Sequence, residues 1–150
     1  MWRQRCHSSN RANSGRASLE FLVAGIVLFV PVMWASVVLL EIQKASMATD
    51  AAARHAVRVF TQSTSLDSAG RRAERAVSRT LGDFGVATPH QITVECQPRS
   101  LCLSPTSWAV VTVRTDVPLL GIPAFPLSTP WAVPVDGTAA AQVSMYRGIP

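Results

Sequence analysis

The chain has 150 residues, 48% of them apolar and 15% charged, which excludes a disordered, highly charged polymer and admits one modest domain once a tail or anchor is subtracted. A net charge of +5 would suggest a nucleic-acid partner only if it were spread over a folded surface. It is not spread. Arg3, Arg5, Arg11 and Arg16 face Glu20 alone in residues 1–20, whereas Arg99, Arg114 and Arg147 balance Glu95, Asp116 and Asp136 in residues 89–150. The excess belongs largely to the N-terminus, and no nucleic-acid partner is expected.

From Phe21 to Leu40 the sequence reads FLVAGIVLFVPVMWASVVLL, with no charge. At 1.5 Å per residue this run is about 30 Å long, the thickness of a bilayer's hydrocarbon core, so it predicts a membrane span over residues 21–40. Pro31 removes the hydrogen bond to the Val27 carbonyl and predicts a kink, which neighbouring groups in a membrane can accommodate. Four arginines precede the span and no cationic excess follows it, so the N-terminus is expected in the cytoplasm and residues 41–150 outside it. A cleavable secretory signal is the competing reading. Its apolar region is normally shorter than this one, although Ala45, Ser46 and Ala48 supply small residues beyond it.

The helix is expected to continue past the membrane to Phe60, about 65–70 Å in all when counted from Arg16. Ile42, Ala45, Ala48, Ala52, Ala56 and Val59 recur at steps of three and four and form one apolar stripe. The stripe suits packing on the chain's own domain and packing on partner subunits equally well. Thr61 to Ser65 is a polar break, after which Ser65 or Asp67 caps a second helix running to about Leu81, with Gly82 as its stop. Ala69, Ala73, Val77 and Leu81 form its inner face; Arg71, Arg72, Arg75 and Arg79 make a basic face that suits solvent or lipid headgroups better than nucleic acid.

The remainder reads as β. Ile92, Val94 and Cys96 alternate with polar neighbours. Ala109, Val111, Val113 and Val117 alternate with Thr112, Arg114 and Asp116, and a third strand is expected from Thr138 to Tyr146 with Ala141, Val143 and Met145 inward. Between the last two strands, Pro118, Pro123, Pro126, Pro130 and Pro134 exclude regular ladder pairing. The fold class is therefore α+β: a long N-terminal transmembrane helix and stalk, a second helix, and a small antiparallel sheet of about three strands. The domain boundaries are a basic leader 1–15, helix and stalk 16–61, and an extracytoplasmic domain 62–150. So small a core would benefit from a staple. Cys6 falls in the leader; Cys96 and Cys102 fall on the oxidising side, where a disulfide is favoured over a zinc site that would have only His90 nearby. Trp108 and Trp131 are expected to anchor the core, while Trp34 lies in the span. His7, His55 and His90 are scattered, no catalytic set or phosphate loop is apparent, and neither enzymatic activity nor a cofactor or metal is expected.

One junction stands apart. Ser14-Gly15-Arg16-Ala17-Ser18-Leu19-Glu20-Phe21 places a carboxylate directly against twenty apolar residues, where an unpaired charge is costly and so implies a partner or a purpose. A basic leader, a Gly, four residues, a Glu and an apolar helix together resemble the type IV prepilin signature. More narrowly, residues 14–147 resemble TadE-like minor pilins of the tight-adherence (Flp) pilus system, through SLEF, the continuation ATDAAARHAVRV and the tail pattern C…C…V-x-V…VP…P…V…YR. The sequence departs from that pattern in Arg16 just after the cut, in Pro31 lying far from Glu20, and in Ser104-Pro105-Thr106 where a Pro-Gly turn is common. The resemblance implies cleavage after Gly15 by a membrane-embedded prepilin peptidase, Arg16 as the new N-terminus, and Glu20 pairing with the α-amino group of a neighbouring subunit. It implies a membrane-anchored, pilin-like subunit that works with other such subunits in pilus assembly and adhesion. The alternative is an uncleaved single-pass protein whose outer domain binds an envelope partner; a secreted enzyme accessory is a third reading.

Overall fold

A computed structural model describes residues 14–98, 102–119 and 131–146, with side chains from Ser18 onward. The leader 1–13, with Cys6 and His7, and Pro123, Pro126 and Pro130 of the connection lie outside the described residues. Five elements follow in order: α1 (Ser14–Thr61), α2 (Leu66–Asp83), β1 (His90–Gln97), β2 (Trp108–Pro118) and β3 (Ala132–Gln142). The three strands form one antiparallel sheet in the order β1-β2-β3. The fold is α+β, as the sequence pattern predicts. The chain divides into two compact units, Met1–Val37 and Val38–Pro150.

In the first unit every described side chain from Ser18 to Val37 is exposed. A helix apolar on all sides has no buried face of its own, and this one is long and apolar enough to cross a membrane. Helical structure runs through Pro31 without interruption. The Ser36 hydroxyl, one turn further on, donates to the Val32 carbonyl at 2.8 Å.

In the second unit the end of α1, the inner face of α2 and one face of the sheet contribute to a single buried cluster. Ala45, Ala48, Thr49, Ala52, Ala53, Ala56, Val57 and Phe60 of α1 are buried, as are Ala69, Ala73, Ala76, Val77 and Leu81 of α2. The alanine stripe is therefore taken up by the chain's own domain, which decides between the two packings that the sequence leaves open. Small side chains are what allow this. At Gly137 in β3 a Cβ would stand only 2.5 Å from the Asp50 backbone nitrogen and from the Thr49 carbonyl carbon, so strand and helix backbone are in direct contact.

Helix α2 begins as its sequence indicates. Ser65 is the N-cap, and its hydroxyl and that of Ser68 form a reciprocal capping box. It ends later than expected. Gly82 is still helical, and the left-handed residue is Gly85, at φ +69°. Gly85 N–H donates to Gly82 O and Val86 N–H to Leu81 O, both at 2.9 Å, which is the Schellman pattern with Val86 folded back onto Leu81 in the core. Two glycines lay within reach of the helix end, and the apolar Val86 selects the second.

In β2 the expected inward set is buried, and Thr115 joins it. Its hydroxyl donates to the Pro89 carbonyl at 3.0 Å, so the buried oxygen is satisfied. Strand β3 corrects the expected span of Thr138–Tyr146: it starts at Ala132, ends at Gln142, and contains Pro134 opposite Asp116. Ala141 is half-buried and Val143 buried as expected, but Val143 lies just past the strand and Met145 is exposed. The hydrogen bonds flanking β3 show why Pro134 is tolerated. Val143 N–H donates to Ser107 O, and Trp131 O accepts from Leu119 N–H, so odd-numbered residues turn their backbone groups toward β2. Even-numbered residues turn theirs to the open side, where proline has no donor to lose.

Trp108 and Trp131 also depart from expectation: they are 48% and 51% exposed, not core anchors. Trp108 falls on the outward set of β2, and Trp131 precedes β3. Cys96 and Cys102 stand at disulfide distance, their sulfurs 2.06 Å apart. In the turn that follows Cys102, Thr106 sits at φ 68°, a region that penalises a β-branched residue and that glycine enters freely. Thr106→Gly is expected to stabilise the second unit by about 1 kcal/mol, the relief of the left-handed backbone exceeding the added chain entropy. Thermal unfolding of the full chain in detergent checks this as a rise in midpoint.

Candidate functional site

The candidate site is the entry into α1. Gly15 and Arg16 lie in the first turn of the helix, and the Arg16 side chain lies outside the described ones. Glu20 follows one turn later and is exposed. Leu19, Val23, Ala24 and Val27 lie beside it on one exposed helix face, and all four are apolar. Among the described residues no cation lies within 4.0 Å of Glu20. In water such a group is solvated; beside hydrocarbon it requires a positive partner from outside the described part of the chain.

The other polar residues singled out by sequence sit elsewhere. His55 Nδ1 is 3.3 Å from the Thr80 hydroxyl, which fixes the seam where α1 faces α2. His90 is not in a loop but opens β1. Its Nε2 lies 3.1 Å from Glu74 Oε1 and 3.5 Å from the Ser78 hydroxyl. Both contacts converge on the same ring nitrogen. A Ser-His-carboxylate relay needs the serine on one nitrogen and the carboxylate on the other, so this cluster ties α2 to β1 and does not form a relay. Among the described residues no three His, Cys, Asp or Glu side chains come together as a metal ion would require.

Sequence reasoning found Glu20 from its position against the apolar run. It did not find Gly137, because a close backbone approach leaves no mark in a pattern of side chains. It also assigned the α2 arginines to a surface without identifying how many lack a partner. Arg71 pairs with Asp67, whereas Arg72, Arg75 and Arg79 have no carboxylate within 4.0 Å among the described residues. Compared with known proteins, the chain matches no family model, no curated protein and no solved structure.

Proposed function

We propose that this chain is a TadE-like, pilin-like subunit, anchored in the cell membrane by the first part of α1 and contributing to assembly of a tight-adherence pilus. The observation that carries the reading is Glu20: a carboxylate with no cation within 4.0 Å among the described residues, beside Leu19, Val23, Ala24 and Val27 near the start of an apolar helix. Cleavage after Gly15 by a prepilin peptidase would create an α-amino group on Arg16, five residues before the apolar run. The amine of one subunit then supplies the positive partner that the Glu20 carboxylate of its neighbour lacks, and the pairing sets the lateral register of the helices. The arginines of the leader hold the N-terminus in the cytoplasm, so the second unit faces outward, on the side where a Cys96–Cys102 disulfide persists.

The experiment is to determine the N-terminus of the mature protein and the effect of Glu20→Gln. A start at Arg16 and a Glu20→Gln variant that inserts normally but assembles at least about tenfold less well, a loss of ~1.4 kcal/mol per contact, support the reading. A start at Met1 with unchanged assembly points to an uncleaved single-pass anchor whose outer domain binds an envelope partner. A start near residue 50 points to a secreted protein.

A further inference from the structure

The second unit has helices on one side of the sheet and an open sheet face on the other, and the two surfaces carry opposite charge. On the helical side Arg54 and Arg58 of α1 and Arg72, Arg75 and Arg79 of α2 are all exposed. Among the described residues none of the five has a carboxylate within 4.0 Å. The contact between His55 and Thr80 places Arg54 and Arg58 near the same seam as Arg79, with Arg75 and Arg72 one and two turns along α2. The same helices also expose Asp50, Asp67, Glu74 and Asp83, of which Asp67 pairs with Arg71 and Glu74 with His90. On the open sheet face Glu95, Asp116 and Asp136 are exposed, and they too lack a cation within 4.0 Å among the described residues. Arg114 is the one described cation on that face, in register with Asp136.

We propose that these two faces are complementary halves of one interface, by which the helical side of one copy stacks on the sheet face of the next. The inference rests on the reading above only in taking the neighbour to be a further copy of this chain; the faces themselves do not depend on the leader. A contact between two different faces is heterologous, so it propagates from copy to copy and does not close as a dimer would. Near-translational stacking also keeps the α1 helices of successive copies parallel, as a common membrane requires. Unpaired surface charges contribute little within one chain, but brought face to face they steer association and fix its register.

The test uses the full chain in excess detergent, with two dye-labelled populations read by energy transfer. Wild type is expected to associate at low salt and to weaken by about tenfold or more near 1 M salt, where the Debye length falls to about 3 Å. A helix-face variant (Arg58→Glu, Arg72→Glu, Arg79→Glu) and a sheet-face variant (Asp116→Arg, Asp136→Arg) should each fail to associate alone. Mixed, they should associate again, because the two intact faces meet and the two reversed faces also carry opposite charge. If Asp136→Arg disturbs folding, as judged by circular dichroism, Glu95→Lys with Asp116→Lys replaces it. Variants that associate as well as wild type would overturn the proposal, since the membrane helices would then be responsible. So would a mixture that stays monomeric, which would assign the arginine face to some other polyanion. Neither result bears on where the leader is cut, so this proposal and the previous one fail separately.

Discussion

Replacing Gly137 by alanine is expected to destabilise the second unit by about 3 kcal/mol or more, and replacing it by valine to prevent its folding. The alanine Cβ would stand 2.5 Å from the Asp50 nitrogen and 2.7 Å from the Thr49 carbonyl oxygen. Those are backbone atoms in the middle of α1, so no rotamer change can make room. Either β3 moves away from the helix, which opens the packing at Thr49, Ala52 and Ala53, or the helix shifts and disturbs its contacts with α2. Surface controls on the same strand, such as Ala140→Ser, should change little, because Ala140 is exposed. Thermal unfolding of the full chain in detergent, followed by circular dichroism of the sheet and aromatic signals, separates the two. A Gly137→Ala variant with an unchanged midpoint would mean that β3 does not lie against the α1 backbone.

How much of this was legible in the sequence varies by element. The apolar run at residues 21–40 follows from its length and lack of charge, and the inward set of β2 from the alternation of its side chains. Helix α2 was legible at its start, where Ser65 and Ser68 act locally. Its end was misjudged because the choice between Gly82 and Gly85 is made by the packing of Val86 on Leu81, a tertiary contact. Strand β3 was displaced because Pro134 reads as a barrier to pairing, and only its place on an open edge removes the objection. Trp108 and Trp131 are expected as anchors of the small core, whereas the outward register of Trp108 and the position of Trp131 ahead of β3 leave both exposed. The candidate site was legible in another way. Glu20 is conspicuous by charge against its surroundings, but what it pairs with depends on atoms of another molecule, which no pattern within one chain can supply.

Leu81→Ala is expected to destabilise the second unit by about 3–4 kcal/mol, the second large effect. The reason is the composition of the core. Most of the buried side chains on α1 and α2 are alanines, and Leu81 is the bulkiest side chain under 2% exposed. Alanine permits the close approach of α1, α2 and β3 but contributes little area, so a disproportionate share of the hydrophobic term falls on the few large residues. Leu81 also receives the Val86 N–H at its carbonyl and packs in the same cluster as Val86. Truncation therefore leaves a cavity and loosens the turn that ends α2. Leu66→Ala is the matched control: the same substitution at a position 58% exposed should cost less than about 0.5 kcal/mol. Domains of this size have roughly 5–15 kcal/mol to lose, so Leu81→Ala should lower the midpoint by many degrees. Equal effects at the two leucines would show that Leu81 is not part of the core.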